Sequence, residues 1–144
     1  MESSESAELF YELQSEGCKL TKLRQTVIDI FSRSQQPLLL EELGKFLKTH
    51  SIEVHRATLY RELAFLEKKQ IIVPVLLEDG KLRYEFSDRS HHHHAVCVKC
   101  KKIEDVELKD DAEHLEKLIK TKNDFIITRH TLEFFGVCGE CKGV

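Results

Sequence analysis

The chain has 144 residues, 41% of them apolar and 33% charged, with a formal net charge of −3 at pH 7. That length suits one ordinary domain or two small ones, and the apolar share excludes a disordered chain. No apolar run approaches the roughly 18 residues of a membrane span, and the acidic opening MESSESAELF lacks the blocks of a secretory signal, so a cytoplasmic protein that does not meet the membrane is expected.

Charge is unevenly spread. The first 17 residues carry five acids and no bases, residues 18–83 carry 12 Lys and Arg against 8 Asp and Glu, and residues 84–144 carry 10 against 12. A basic middle block is compatible with nucleic acid but does not establish it.

Residues 5–16 read as a short acidic helix with Leu9, Phe10 and Leu13 on one side. A second helix is expected over Leu20–Ser34, where Leu23, Val27, Ile28, Ile30 and Phe31 fall near helical spacing. Lys19, Lys22 and Arg24 stand at its start, where the helix dipole disfavours bases; phosphate contact is one reason to keep them there, solvation the commoner one. Pro37 breaks the chain, and Leu40–Thr49 forms the next helix with Leu40, Leu43, Phe46 and Leu47 as its apolar stripe.

The stretch from His55 to Lys69 carries Leu59, Leu63 and Leu66 along one face, with Arg56, Thr58, Tyr60 and Arg61 largely off it. IIVPVLL, a two-residue turn at Asp79-Gly80 and KLRYEFS then give a β-hairpin. This order is that of a winged helix-turn-helix, whose last helix enters the major groove of double-stranded DNA. Thr58 and Tyr60 suit thymine methyls, and Arg56 and Arg61 suit guanine edges or phosphates. Exposed arginine and tyrosine are also ordinary on any small helical domain.

The second half begins near Arg83. Its centre is HHHHAVCVKC, His91 to Cys100. If that segment is extended, His91 and His93 point to one face and His92 and His94 to the other. A strand KKIEDVEL follows, then a helix about 111–122 with Ala112, Leu115, Leu118 and Ile119 on one face, then a strand DFIITRHTLEFFG. Alternation along this strand sets His130 with Ile126, Thr128, Leu132 and Phe134, where a lone histidine is more often packed than ligating. The expected class is α+β: a winged helix-turn-helix over residues 1–83, a hinge about 83–90, and a small α/β dimerisation domain over residues 84–144.

Four of the five cysteines form two Cys-x-x-Cys pairs, Cys97/Cys100 and Cys138/Cys141, while Cys18 stands alone. Two such pairs at this separation point to a tetrahedral, closed and therefore structural zinc site. The histidines call for a different ion, because imidazole with carboxylate suits Fe(II), Mn(II), Co(II) or Zn(II), held less tightly than four thiolates hold zinc. One candidate set is Glu85, His92, His94 and Asp105; the other is His91, His93, Glu113 and His130.

RATLYREL, RYEF, HHHHAVCVKC, IEDVE and RHTLEFFGVCGEC together resemble the ferric uptake regulator (Fur) family of metal-dependent bacterial transcription factors, from about Gly17 to Cys141. The resemblance implies a homodimer that binds AT-rich inverted repeats and usually represses when metal-loaded. It matches Cys97, Cys100, Cys138 and Cys141 to the structural zinc ligands. It matches Glu85, His92, His94 and Asp105 to the regulatory site at the hinge, and His91, His93, Glu113 and His130 to an additional site in the dimerisation domain. Three departures stand out. Pro37, preceded by Gln36, occupies the place of a further histidine ligand; His93 stands where many members have an acid; and the Glu113 match needs a one-residue insertion, without which Ala112 aligns. Iron is the first expectation for the sensed metal, zinc or manganese the second, and peroxide the third. Glu85 stands where the peroxide sensors favour aspartate.

The alternative without DNA is a zinc-stapled interaction module whose histidines buffer metal. An enzyme is not expected, since no His-x-Glu or His-Glu-x-x-His motif precedes the cysteine pairs.

Overall fold

The computed structural model describes residues 4–87, 92–108, 111–128 and 130–143, in two compact units, Met1–Asp88 and Arg89–Val144. His91 and residues 88–90 of the expected hinge lie outside the described residues. Among the described residues no helix is long and apolar enough to cross a membrane.

The first unit contains α1 (Ser4–Ser15), α2 (Lys22–Arg33), β1 (Leu38–Leu39), α3 (Leu40–Thr49), α4 (Arg56–Lys68), β2 (Ile72–Leu76) and β3 (Leu82–Phe86). Its centre is made where the apolar stripes converge: Val27, Ile28 and Phe31 of α2, Leu43 and Leu47 of α3, and Leu63 and Leu66 of α4 are almost wholly buried. Phe10 and Leu13 fasten the acidic α1 to this core. The start of α2 is set by Thr21, whose Oγ1 accepts from the Arg24 N–H at 3.2 Å, so the helix begins two residues later than periodicity alone implies. α3 opens by the reverse contact, the Glu42 carboxylate in its first turn accepting at Oε2 from the N–H of the capping residue Leu39 at 2.8 Å.

Three helices of this unit stop alike. Cys18 N–H returns to Leu13 O, Ile52 N–H to Leu47 O and Ile71 N–H to Leu66 O, with Gly17, Ser51 and Gln70 in the left-handed conformation at φ of 80°, 58° and 59°. This is the Schellman stop, and only the first instance uses the residue that adopts it without steric cost.

The sheet order is β1-β3-β2, all antiparallel, with Leu38 opposite Tyr84 and Ile72 opposite Phe86. Pro74 is tolerated because β2 is an edge strand. The hairpin connection is longer than the two-residue turn expected from Asp79-Gly80: pairing ends at Leu76–Leu82, and residues 77–81 form the loop. The reason is local. Leu77 turns inward and is buried, and Asp79 accepts from the Lys81 N–H at 3.0 Å and from both terminal nitrogens of Arg83 at 2.9 and 2.7 Å.

The second unit contains β4 (His93–Cys97), β5 (Ile103–Val106), α5 (Asp111–Asn123) and β6 (Glu133–Gly136), with sheet order β5-β4-β6. β5 runs antiparallel to β4 with His94 opposite Asp105, and β6 runs parallel to it with Cys97 opposite Gly136. The long strand expected over 124–136 is therefore corrected. β4 offers a pairing edge of only five residues, and among the described residues of 124–132 none is in a strand. Asp124 takes a positive φ of 50° directly after α5, and Ile126, assigned by alternation to an inner face with His130, is 81% exposed. The apolar face of α5 is likewise open, with Leu115 at 55%, Leu118 at 40% and Ile119 at 41% exposure.

Candidate metal centres and nucleic-acid face

β4 ends at Cys97, and the chain turns at once: Lys101 N–H donates to Cys97 O and Cys97 N–H to Lys102 O, both at 2.9 Å. This folds Cys100 back beside Cys97. The parallel pairing of β6 continues as Val98 N–H to Gly136 O at 2.8 Å and carries Cys138 to the same place. Cys141 follows on a turn closed by its own N–H on Cys138 O at 3.0 Å.

All four sulfurs lie within 4.8 Å of one another, with Cys100 and Cys138 3.7 Å apart. Four sulfurs on one tetrahedral zinc, each about 2.3 Å from the metal, stand roughly 3.8 Å apart, so the cluster fits that ion. Its electrostatics say the same. The Cys138 and Cys100 N–H groups hold the Cys97 thiol down at about 6, whereas the crowding sulfurs of Cys138 and Cys100 push Cys141 up to about 12. One thiolate forms readily and the last does not, until a cation at the centre reverses the repulsion.

On one face of the β4 segment, the rings of His92 and His94 stand 5.0 Å apart at nearly a right angle. Each Nε2 lies 3.9 Å from Asp105 Oδ1, the carboxylate that the β4–β5 register places opposite His94. That distance is too long for a hydrogen bond and within the roughly 4.2 Å that two ligand bonds to one ion span. Two largely buried imidazoles and one carboxylate thus form a mixed nitrogen and oxygen donor set, distinct in kind from the sulfur cluster. Glu85, the remaining member of this candidate set, is on β3 of the first unit, opposite Val73.

His93 points the other way, as alternation requires, and its ring lies 5.7 Å from that of His130. The carboxylate at His130 is not the expected one. Glu116 Oε1 is 2.6 Å from His130 Nδ1, whereas Glu113 is on the exposed side of α5, paired with Lys117 at 2.8 Å, which holds its carboxyl below the usual range. Glu116 is one helical turn from Glu113, and the sequence held no signal separating them. His91, the fourth member named for this set, lies outside the described residues.

On α4 the buried residues are Leu59, Glu62, Leu63 and Leu66, which leaves Arg56, Tyr60 and Arg61 exposed and Thr58 half-buried. Arg56 Nη2 donates to the Tyr60 hydroxyl at 3.3 Å, and Arg61 Nε donates to Ala57 O at 3.3 Å, so both guanidinium groups lie along the helix surface. Lys19 is exposed. Arg24 departs from expectation. It is not a solvated phosphate contact, because Nε and Nη2 donate to the two carboxylate oxygens of Glu62 at 2.6 and 3.1 Å and Nη1 donates to Lys19 O at 2.7 Å. Glu62 had no distinguishing mark in the sequence. Pro37 is buried and has no donor atom in its side chain.

The family model described as "Ferric uptake regulator family" matches residues 15–135. The ferric uptake regulation protein of Neisseria gonorrhoeae is 32% identical over 132 residues, covering 91% of each chain. Among solved structures, the Helicobacter pylori ferric uptake regulator, described as having three functional metal binding sites, superposes with a TM-score of 0.80 at 27% identity, over 98% of this chain and 95% of that one. The Vibrio cholerae ferric uptake regulator, described as showing rearrangement of its DNA-binding domains, gives 0.74 at 30% identity, over 89% and 98%.

Proposed function

The chain belongs to the ferric uptake regulator family of metal-responsive transcription regulators, and on that premise we propose that it is an iron-responsive repressor that binds AT-rich inverted-repeat operators as a homodimer. The observation that carries the reading is the presence of two donor sets of different chemistry. The sulfur set of Cys97, Cys100, Cys138 and Cys141 suits permanent zinc, which staples the last residues of the chain to the end of β4. The set of His92, His94 and Asp105 suits an ion that exchanges with supply, such as Fe(II).

In this reading Glu85 is a further ligand of the histidine set, as the resemblance to the family implies, and filling the site is the step that couples metal to DNA binding. Pro37, at the place of the family's further histidine, offers no ligand, so the set has one member fewer than the family's. His93 and His130 are the described members of the further site, with Glu116 held on His130 Nδ1 as the carboxylate that orients that ring and His91 as a further candidate ligand. Arg56, Thr58, Tyr60 and Arg61 read the major groove, and Lys19 meets the phosphates. The uncovered apolar residues of α5, with Phe134 and Phe135 of β6, supply the dimer surface.

Regulation then follows by population shift. The donors bind metal more tightly in the arrangement that fits DNA, with a coupling of about 1–3 kcal/mol, and DNA tightens metal binding by the same factor. The test is an anaerobic anisotropy titration of DNA binding with Fe(II), Mn(II) and Zn(II), on protein whose tightly held zinc has been counted. Fe(II) is expected to raise affinity most; a larger response to Mn(II) or Zn(II) would move the assignment to those metals. Operator affinity that stays unchanged when all metal but the zinc is removed would end the switch reading.

A further inference from the structure

We infer that Arg24 is a positioning residue for DNA recognition: it clamps the basic turn before α2 to the middle of α4 and so fixes the angle about its axis at which α4 presents its reading face. The inference rests on the DNA-binding reading above.

The geometry is a planar fork closed on three acceptors. Two parallel bonds run to Glu62, the third to Lys19 O, and the guanidinium carbon lies 3.6 Å over the Phe65 ring. Both charged side chains are largely buried, at 13% and 10% exposure. A desolvated ion pair adds little net stability over apolar residues of similar size, so its presence is better explained by the geometry it specifies.

The other contacts of α4 leave that geometry loose. Leu59, Leu63 and Leu66 hold the helix against the core, but apolar contact is non-directional and tolerates a roll about the helix axis. On a helix of about 5–6 Å outer radius, a roll of about 10° displaces side-chain tips by about 1 Å, enough to break a hydrogen bond to a base edge. The bidentate pair does not tolerate that roll, and only arginine offers the fork. The third bond ties the backbone of exposed Lys19 to the same guanidinium, so the phosphate-facing turn and the reading helix move as one piece.

The test uses the full-length, metal-loaded protein and two duplexes: one enriched by the wild-type protein from a random pool, and its shuffled counterpart. Affinity for each is measured across a range of salt, with thermal unfolding in parallel. Arg24→Met, which keeps the contact with Phe65, is expected to lower the ratio of selected to shuffled affinity about tenfold, the equivalent of about 1.4 kcal/mol. The slope of log affinity against log salt should not change, because no phosphate contact is lost. Glu62→Gln should lower the ratio in the same direction by a smaller factor, and it decides the matter if Arg24→Met does not fold. Arg24→Lys should not restore the ratio.

A slope that falls by about one, with both duplexes weakened equally, would make Arg24 a direct phosphate contact and overturn the inference. So would an unchanged ratio in both variants. If the wild-type protein enriches no sequence at all, it is the DNA-binding reading that fails, which these outcomes leave distinguishable.

Discussion

His94 of β4 stands directly opposite Asp105 of β5, with its Nε2 3.9 Å from the Asp105 carboxylate, and the same oxygen lies 3.9 Å from His92 Nε2. One carboxylate therefore serves two imidazoles at a separation suited to a shared ion. His94→Ala and Asp105→Asn should each weaken Fe(II) or Mn(II) binding by at least about tenfold while the zinc count stays the same. Calorimetry with parallel elemental analysis checks this; loss of zinc in either variant would mean that the two donor sets are one structural unit.

The carboxylate at His130 separates two neighbours on α5. Glu116→Gln should weaken binding at the further metal site about tenfold or more, whereas Glu113→Gln, which removes only the surface pair with Lys117, should leave it unchanged. The comparison is made by metal titration on protein already carrying Asp105→Asn. The reverse ranking would restore the sequence alignment and refute the placement seen here.

Gln70 and Ser51 occupy left-handed positions that cost a side chain steric strain. Gln70→Gly and Ser51→Gly should each raise the stability of the first unit by about 0.5–1 kcal/mol, read as an increase in urea midpoint with unchanged slope. A lowered midpoint would show that these side chains contribute more than their backbone strain costs.

Asp79 accepts from Arg83 and the Lys81 N–H, with Arg83 the chief cause of a carboxyl held far below its usual range. A depressed folded-state value means the contribution is complete above the unfolded carboxylate value near 3.9 and is lost as pH falls towards the folded one. Asp79→Asn should cost about 1 kcal/mol at neutral pH, a figure moderated by the partial exposure of the pair, and the gap from wild type should begin to narrow below about pH 4 and close only as pH falls to the depressed folded value. A gap that persists undiminished in acid would mean the charge is not its source.

Leu118→Asp on the open face of α5 should convert a dimer to a monomer by sedimentation and weaken binding to the inverted repeat, with the zinc count unchanged. A dimer that survives this change and Ile119→Asp would place the dimer contact elsewhere.

The sequence by itself determined whatever depends on short spacing. The stripes Val27, Ile28, Phe31 and Leu59, Leu63, Leu66 marked their helices, alternation split His92 and His94 from His93, and Cys-x-x-Cys brought each thiol pair to one point. These are consequences of 3.6- and 2-residue periods that a chain carries locally. Tertiary structure alone decided the rest. Arg24 meets Glu62 across 38 residues and Glu116 meets His130 across 14, and strand pairing stopped at the five-residue edge of β4 although the pattern of 124–132 invited it to continue. Which charged side chain finds which partner depends on how separate elements pack, and no period along the chain encodes that.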